Sequence, residues 1–518
     1  MQLFLERRGH FLDAGDSNSI EDPGMTVENP SGSLDRSMAH AVAWGAGARW
    51  ASQVVSWAST IVVARLLTPY DYGLVGMAGL YLQLALLVSQ AGIGDAVIAL
   101  RDLTSRQLAE LNTISLLMGA ALVALSAALA IPIARFFSAP PLVAVIIVAS
   151  VVLAINAFQV VPKALLQRDL RFKLLAAIET VRAFSQVIAT VLFAWFGFRY
   201  WSLVIGYIIS SLVGSFLTFY WRPHEFAVPN FANLKREMKF TRDALLSRIA
   251  TYVYDNADFG VAGRVLGESA LGNYTVAWTI SAAPIDKIGS LVTGVTPAFF
   301  SAVQTNKAEL SRYFLRLTEV LSFVTVPASI GIALVADYLV PVLLGPKWLG
   351  VIGPLRLLGI FVAVRSVATI LPNLLTAVGH VRFTMWATTG AAVAMPIAFL
   401  IGSRWGTSGI AAAWVVAYPL IMIPMYYKVL SITGVRVREY LLVVLPALNA
   451  SAIMAVVLIL IRSMIAARPH SIMGLSILVI AGIVAYAAAL FAFHRERVSV
   501  ILHTLTRMFR SDQPIVNA

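Results

Sequence analysis

Apolar stretches long enough to cross a bilayer recur along almost the whole chain, and this recurrence restricts the fold more than any other feature. A helix needs about 20 apolar residues to cross roughly 30 Å of hydrocarbon. Eight charge-free runs reach that length: 72–94, 111–134, 136–162, 200–221, 383–403, 405–427, 441–461 and 469–494. Six further runs carry one or more charges, at about 40–67, 174–198, 242–266, 270–302, 312–344 and 351–378. In lipid every backbone polar group must be satisfied within the protein, so such runs are helices. The expected architecture is an all-α integral membrane protein with 14 transmembrane helices joined by short connections. Composition agrees: 13% of residues are charged and mean hydropathy is +0.81, against roughly 25% charged in soluble domains.

The net charge of +13 would suggest nucleic-acid binding in a soluble chain. Here the basic residues have another explanation, because membrane proteins gather them in cytoplasmic loops. Of the 39 Lys and Arg, 25 fall on the side shared by both tails and every second connection. Nine fall on the opposite side. This imbalance places both termini in the cytoplasm, and a mistaken span would scramble it. The chain is expected to cross its membrane many times. No cysteine is present and the seven histidines are scattered, so neither a metal site nor a cofactor is expected.

Residues 1–37 are polar and rich in Gly, Ser, Pro and acids, and read as a disordered cytoplasmic tail. Met25 and Met38 are alternative starting methionines. An N-lobe of six spans covers 38–222 and a linker covers 223–241. A C-lobe of six spans covers 242–432, two extra spans cover 433–494, and a basic tail covers 495–518. Segments 164–176 and 230–240 mix apolar and basic residues at helical spacing. Both are expected to lie as short helices on the anionic inner leaflet.

Five basic residues remain inside the spans: Arg49, Arg182, Arg248, Lys287 and Arg365. Charges at that depth face protein or water. The stretch ARLLTPYDYGLVGMA (64–78) aligns without a gap on GRVLGESALGNYTVA (263–277), with Arg65 on Arg264, Leu67 on Leu266, Gly73 on Gly272 and Ala78 on Ala277. The offset is 199, and it also carries Arg49 onto Arg248. Six spans separate the two copies, which makes the repeat parallel, with its axis along the membrane normal. Arg49 and Arg248 then face each other across a central cavity, where two guanidinium forks suit a phosphate or pyrophosphate. The alternative for Arg49 is a side chain that snorkels to the inner headgroups.

The seventh span, RDALLSRIATYVYDNADFGVAGR (242–264), is unusually polar. Asp255 and Asp258 lie near one face with Arg248, and Asn256 adds to the span's polar character. They read as a cavity wall in which an aspartate carries a coupling ion, or as partners of a basic residue on a neighbouring span. Lys287 and Arg365 are further cavity candidates, although Asp286 stands beside Lys287 and can neutralise it. Glu179 and Arg182 are spaced as a structural helical ion pair. With no catalytic constellation and no long loop, the chain is not expected to be an enzyme.

ARLLTPYDYGLVGMA, QAGIGDAVIALRDLTSRQLAELN (90–112), LLQRDLRFKLLAAIE (165–179), GRVLGESALGNYTVAW (263–278) and GPKWLGVIGPLRLLG (345–359) together resemble the Wzx-type flippases. These belong to the MOP (multidrug/oligosaccharidyl-lipid/polysaccharide) exporter superfamily. The resemblance runs from about residue 38 to 435 in the family's order. It implies two six-span lobes around a cavity, plus two C-terminal spans. It also implies transfer of undecaprenyl-pyrophosphate-linked oligosaccharide repeats from the cytoplasmic to the periplasmic leaflet by alternating access. Partners expected on that basis are the lipid-linked substrate, membrane lipids, a polysaccharide polymerase and a chain-length regulator, with no nucleic acid. Two other readings stay open: a cation-coupled small-molecule (multidrug) exporter of the same superfamily, and a membrane glycosyltransferase or polysaccharide polymerase.

Overall fold

The computed structural model describes residues 61–90, 93–100, 102–229, 249, 251–304, 306–465, 471–495 and 497, without the side chains of 286–295, 297–299, 302 and 465. All of these belong to one unit that begins at Ser56. The expected tail (1–37), the helix at 230–240 and the chain beyond 497 lie outside the described residues. Every described regular element is helical. In chain order they are α1 (61–66), α2 (Pro69–Gln90), α3 (Ile93–Ala99), α4 (Ser105–Phe137), α5 (Leu142–Ala157), α6 (Val160–Arg168), α7 (Phe172–Trp195) and α8 (Tyr200–Trp221). The second half holds α9 (251–266, ending in a π turn), α10 (Glu268–Val303), α11 (Lys307–Leu339), α12 (Ile352–Ala368), α13 (Ile370–Ala377), α14 (Val381–Gly402), α15 (Gly406–Thr433), α16 (Val437–Ile465) and α17 (Ile472–Phe493).

Among the described residues, nine helical stretches are long and apolar enough to cross a membrane, or ten with the bent pair α5–α6 counted as one span. One of the nine, Val381–Thr433, contains two of the spans expected from the sequence, α14 and α15, joined by a short turn at Ser403–Trp405.

Local chemistry sets where several helices start. Pro69 opens α2 with a backbone angle already suited to a helix. Just before it, Thr68 and Asp71 cap each other. The Thr68 amide donates to Asp71 Oδ2 at 2.9 Å, and the Asp71 amide donates to Thr68 Oγ1 at 3.3 Å. The second carboxylate oxygen accepts the Tyr200 amide at 3.2 Å, with Arg199 Nε 3.6 Å away, and so ties the start of α8 to the start of α2. Thr104 and Gln107 form a capping box on α4. Asn306 caps α11 and Ser471 caps α17.

Polar contacts sort the connections onto two ends. One end, called upper here, joins Arg65 to Val342 and Leu343, Lys347 to Arg65, Arg264 to Ser138, and Asp337 to both Arg356 and Arg462. The lower end joins Lys163 to Glu179, Arg222 to Asp169, and Glu319 to Arg316 and Arg497. This grouping is the one that alternate crossing requires. Arg182 lies 3.6 Å from Glu179, the helical ion pair expected from their spacing.

Within the first half α4 packs along α5, and α7 along α8. Within the second, α11 packs on α12 and α14 on α15, while α16 and α17 form an appendage against α11. Tyr486 on α17 donates to the Phe323 carbonyl of α11 at 2.7 Å. Between the halves α2 crosses α10, and their upper ends meet backbone to backbone. A Cβ on Gly73 would overlap the Glu268 carbonyl, and a Cβ on Gly272 would overlap the Pro69 carbonyl. Residues 69 and 268, like 73 and 272, are 199 apart. The crossing therefore obeys a local two-fold with the repeat's own offset, about an axis running the same way as both helices. Small residues that let helix backbones touch are the usual means of close packing in a membrane.

One expectation is corrected. Segment 164–176 is not a helix lying on the leaflet. Its first part is the end of α6, a 42° continuation of the fourth span, and its last part begins α7 at Phe172. Leu165 packs with α3 against Ile93 and Val97, and Leu166 packs with Leu175 and Ile178. Leu165 and Leu166 are buried against protein, whereas Leu170 and Phe172 at the connecting turn stay exposed.

Candidate functional site

Helices α9, α10 and α12 all run inward from the upper end. Asp255 stands on α9, Trp278 on α10 and Arg365 on α12, each roughly ten to thirteen residues from that end. At 1.5 Å per residue this is a depth of about 15–20 Å, near the middle of a 30 Å hydrocarbon layer.

Arg365 is the described cation of this region. Its guanidinium carbon lies 5.7 Å from the centre of the Trp278 ring and 5.9 Å from that of Phe361. Both are distances at which an aromatic face attracts a cation. Asp255 Oδ1 is 3.9 Å from its Nη2, the outer limit of an ion pair. Neither member is sealed in: the Arg365 side chain is 30% exposed and that of Asp255 is 42% exposed. The pair is therefore loose, and among the described residues the guanidinium keeps unused donors in a place where an anion would be poorly solvated.

About one turn along α9 toward the upper end is a second carboxylate, Asp258, with no exposure. Its Oδ2 accepts the Tyr274 hydroxyl at 2.7 Å and the Trp414 indole N–H at 2.9 Å. No basic side chain among the described residues lies within ion-pair distance of it. Trp414 stacks on Phe361 with ring centres 4.7 Å apart and planes at 30°, so one aromatic column connects buried Asp258 to Arg365. Asn256 turns the other way and donates to the Tyr252 carbonyl of its own helix at 2.9 Å. The Tyr252 hydroxyl reaches across to the Leu80 carbonyl of α2 at 2.7 Å.

The structure thus joins Asp255 to Arg365, with Asp258 close by in the same helix cluster. Of the two readings of the seventh span's aspartates, Asp255 realises pairing with a neighbouring span. Lys287 is placed on α10, its side chain undescribed. Arg49 and Arg248 lie outside the described residues. Sequence reasoning did not single out Trp278, Phe361, Tyr274 or Trp414. Aromatic residues are common in any apolar helix, and nothing in their spacing says that rings from α10, α12 and α15 converge.

Comparison with known proteins places this geometry in context. The family model described as "Polysaccharide biosynthesis protein" matches residues 62–353. The lipopolysaccharide biosynthesis protein WzxC of Escherichia coli (strain K12) is 25% identical over 398 residues, covering 74% of this chain and 78% of that protein. The teichuronic acid biosynthesis protein TuaB of Bacillus subtilis (strain 168) is 26% identical over 377 residues, 71% of this chain and 74% of that protein. Among solved structures, the lipid II flippase MurJ in an inward closed conformation superposes with a TM-score of 0.73. Its identity is 15%, over 88% of this chain and 99% of that one. An inward-facing MATE family multidrug resistance transporter of the MOP superfamily gives 0.58 at 18% identity, over 74% of this chain and 96% of that one. These likenesses give the chain the fold of that superfamily.

Proposed function

We propose, from the premise that the chain belongs to the polysaccharide biosynthesis protein family, that it moves undecaprenyl-pyrophosphate-linked oligosaccharide repeats. The direction is from the cytoplasmic to the periplasmic leaflet, for synthesis of a surface polysaccharide. The single observation that carries this reading is the loosely paired, part-exposed Arg365 at mid-membrane depth. A guanidinium there offers bidentate hydrogen bonding to a phosphate.

The full proposal is a 14-span chain with both termini cytoplasmic, N-lobe 38–222 and C-lobe 242–432. Arg49 and Arg248 supply the principal pyrophosphate clamp, and Arg365 and Lys287 line the same cavity. The polyprenyl tail stays in lipid while the lobes rock. No bond is made or broken. Asp258, buried among neutral donors, is the better candidate of the two aspartates for carrying a coupling proton, since an unpaired charge there is costly. A polymerase and a chain-length regulator take the product onward. A cation exporter is disfavoured by Arg365 itself, whose guanidinium already occupies the ring faces that an organic cation would use.

The test is export. A deletion strain should accumulate lipid-linked repeats on the cytoplasmic face, and the wild-type gene should clear them. Arg365→Ala at normal membrane levels should cut export about tenfold or more, the scale of one lost charge-assisted contact. Clearance unchanged by this substitution would remove Arg365 from the path.

A further inference from the structure

The repeat offset of 199 joins more than the two glycines of the α2–α10 crossing. Arg65 and Arg264 stand at equivalent places, each at the upper end of the first helix of its half, and each reaches the opposite half. Arg65 donates through Nη2 to the Val342 carbonyl at 2.5 Å and through Nε to the Leu343 carbonyl at 2.8 Å, just beyond α11. Arg264 donates through Nη1 to the Ser138 hydroxyl at 3.1 Å, just beyond α4. The ends of the third spans of both halves are thus held by the first span of the other.

The two arms are unequal. On the Arg65 side, the Trp348 indole N–H donates to the Ala64 carbonyl at 2.7 Å, and Lys347 Nζ donates to the Arg65 carbonyl at 2.6 Å. Trp348 is fully buried, edge-on to Tyr72 of α2 at 5.2 Å. On the Arg264 side, the described partners are the Ser138 hydroxyl and the Phe136 ring, 5.5 Å from the guanidinium carbon. Carbonyl oxygens at a helix end carry partial negative charge and hold a guanidinium better than a neutral hydroxyl does.

We propose that the upper end is closed by a two-fold latch with unlike arms. Arg65 with Trp348 and Lys347 forms the retained, hinge-like arm, and Arg264 with Ser138 forms the arm that lets go. The proposal rests on the alternating-access reading above, since only a protein that opens at this end needs a releasable arm. Between the arms, α2 and α10 must part.

The natural absence of cysteine makes the latch testable in the full chain. A Cβ on Gly76 would sit 3.6 Å from Thr275 Oγ1, with no closer atom than 3.5 Å. Gly76→Cys with Thr275→Cys therefore places two thiols within disulfide reach, with little disturbance. In native membranes, oxidation should remove both thiols from reaction with a maleimide–polyethylene glycol tag and stop export, and dithiothreitol should restore both. Failure of the disulfide to form would overturn the closed geometry. A disulfide that forms while export continues would overturn the claim that this crossing opens. Either result stands apart from failure of the transport reading, in which even wild type leaves lipid-linked repeats uncleared. The inequality is read with Thr275→Cys alone, alkylated by an impermeant maleimide from the upper side. Arg264→Ala should speed labelling about two- to threefold, whereas Arg65→Ala and Trp348→Phe, whose contacts persist in both states, should leave its rate unchanged. Acceleration by Arg65→Ala equal to or larger than that by Arg264→Ala, or none by Arg264→Ala, would overturn the unlike arms.

Discussion

Arg365 and Arg65 carry the same guanidinium into opposite surroundings. Arg65 is gripped by two backbone carbonyls at 2.5 and 2.8 Å, and its own carbonyl is held by Lys347. Arg365 has one carboxylate at 3.9 Å and two ring faces near 6 Å. Backbone carbonyls at a helix end cannot follow a guanidinium that leaves, whereas a part-exposed aspartate and a pair of ring faces can. The difference teaches that the identity of an intramembrane or near-membrane arginine says little about its job. What decides is whether its partners are fixed and complete, as at the closed end, or loose and incomplete, as at mid-depth.

The largest effect is expected where fixed partners are most crowded. In Gly272→Val the new Cβ would overlap the Pro69 carbonyl and lie 3.0 Å from the Gly73 amide. Both are backbone atoms that no rotamer change can move. The crossing has to spread, at a cost of about 3 kcal/mol, and folded protein in the membrane should fall severalfold as judged by size-exclusion of detergent extracts. Undiminished monodisperse protein would show that the α2–α10 contact is not needed for the fold.

This crossing also marks how much could be read beforehand. The runs of apolar residues give the helices, and charge alternation groups their connections as the polar contacts at the two ends do. The offset of 199 is realised in Gly73 over Glu268 and Gly272 over Pro69. Those features are local or periodic, so one sequence contains them. That an aspartate of the seventh span pairs with a neighbouring span was one of two readings of the sequence, but the choice of Arg365 as its partner was not legible, because the residues are far apart in the chain and nothing on α12 announces an acidic neighbour. The ring column from Trp278 through Phe361 to Trp414 was hidden for the same reason. Segment 164–176 misled because a helix end buried against α3 and an interfacial helix share one pattern of apolar and basic residues. Only tertiary contact distinguishes them.

A smaller effect is expected at the loose partner. Asp255→Asn removes the counter-charge of Arg365 from a part-exposed pair, which costs stability less than about 1 kcal/mol. Thermal unfolding in detergent should hardly change. Export should slow by less than about tenfold, through cargo held too tightly rather than not at all. A large drop in melting temperature with unchanged export per molecule would instead assign the pair to structure.

The most direct measurement exchanges the two charges. Arg365→Asp combined with Asp255→Arg keeps a possible ion pair and the net charge, but takes the guanidinium off α12 and away from its place over Trp278 and Phe361. If Arg365 serves as a ligand for an anionic head group, the exchanged protein reaches the membrane at normal levels, and lipid-linked repeats still accumulate on the cytoplasmic face. Export restored to the wild-type rate would contradict the account and leave the pair as a structural contact alone.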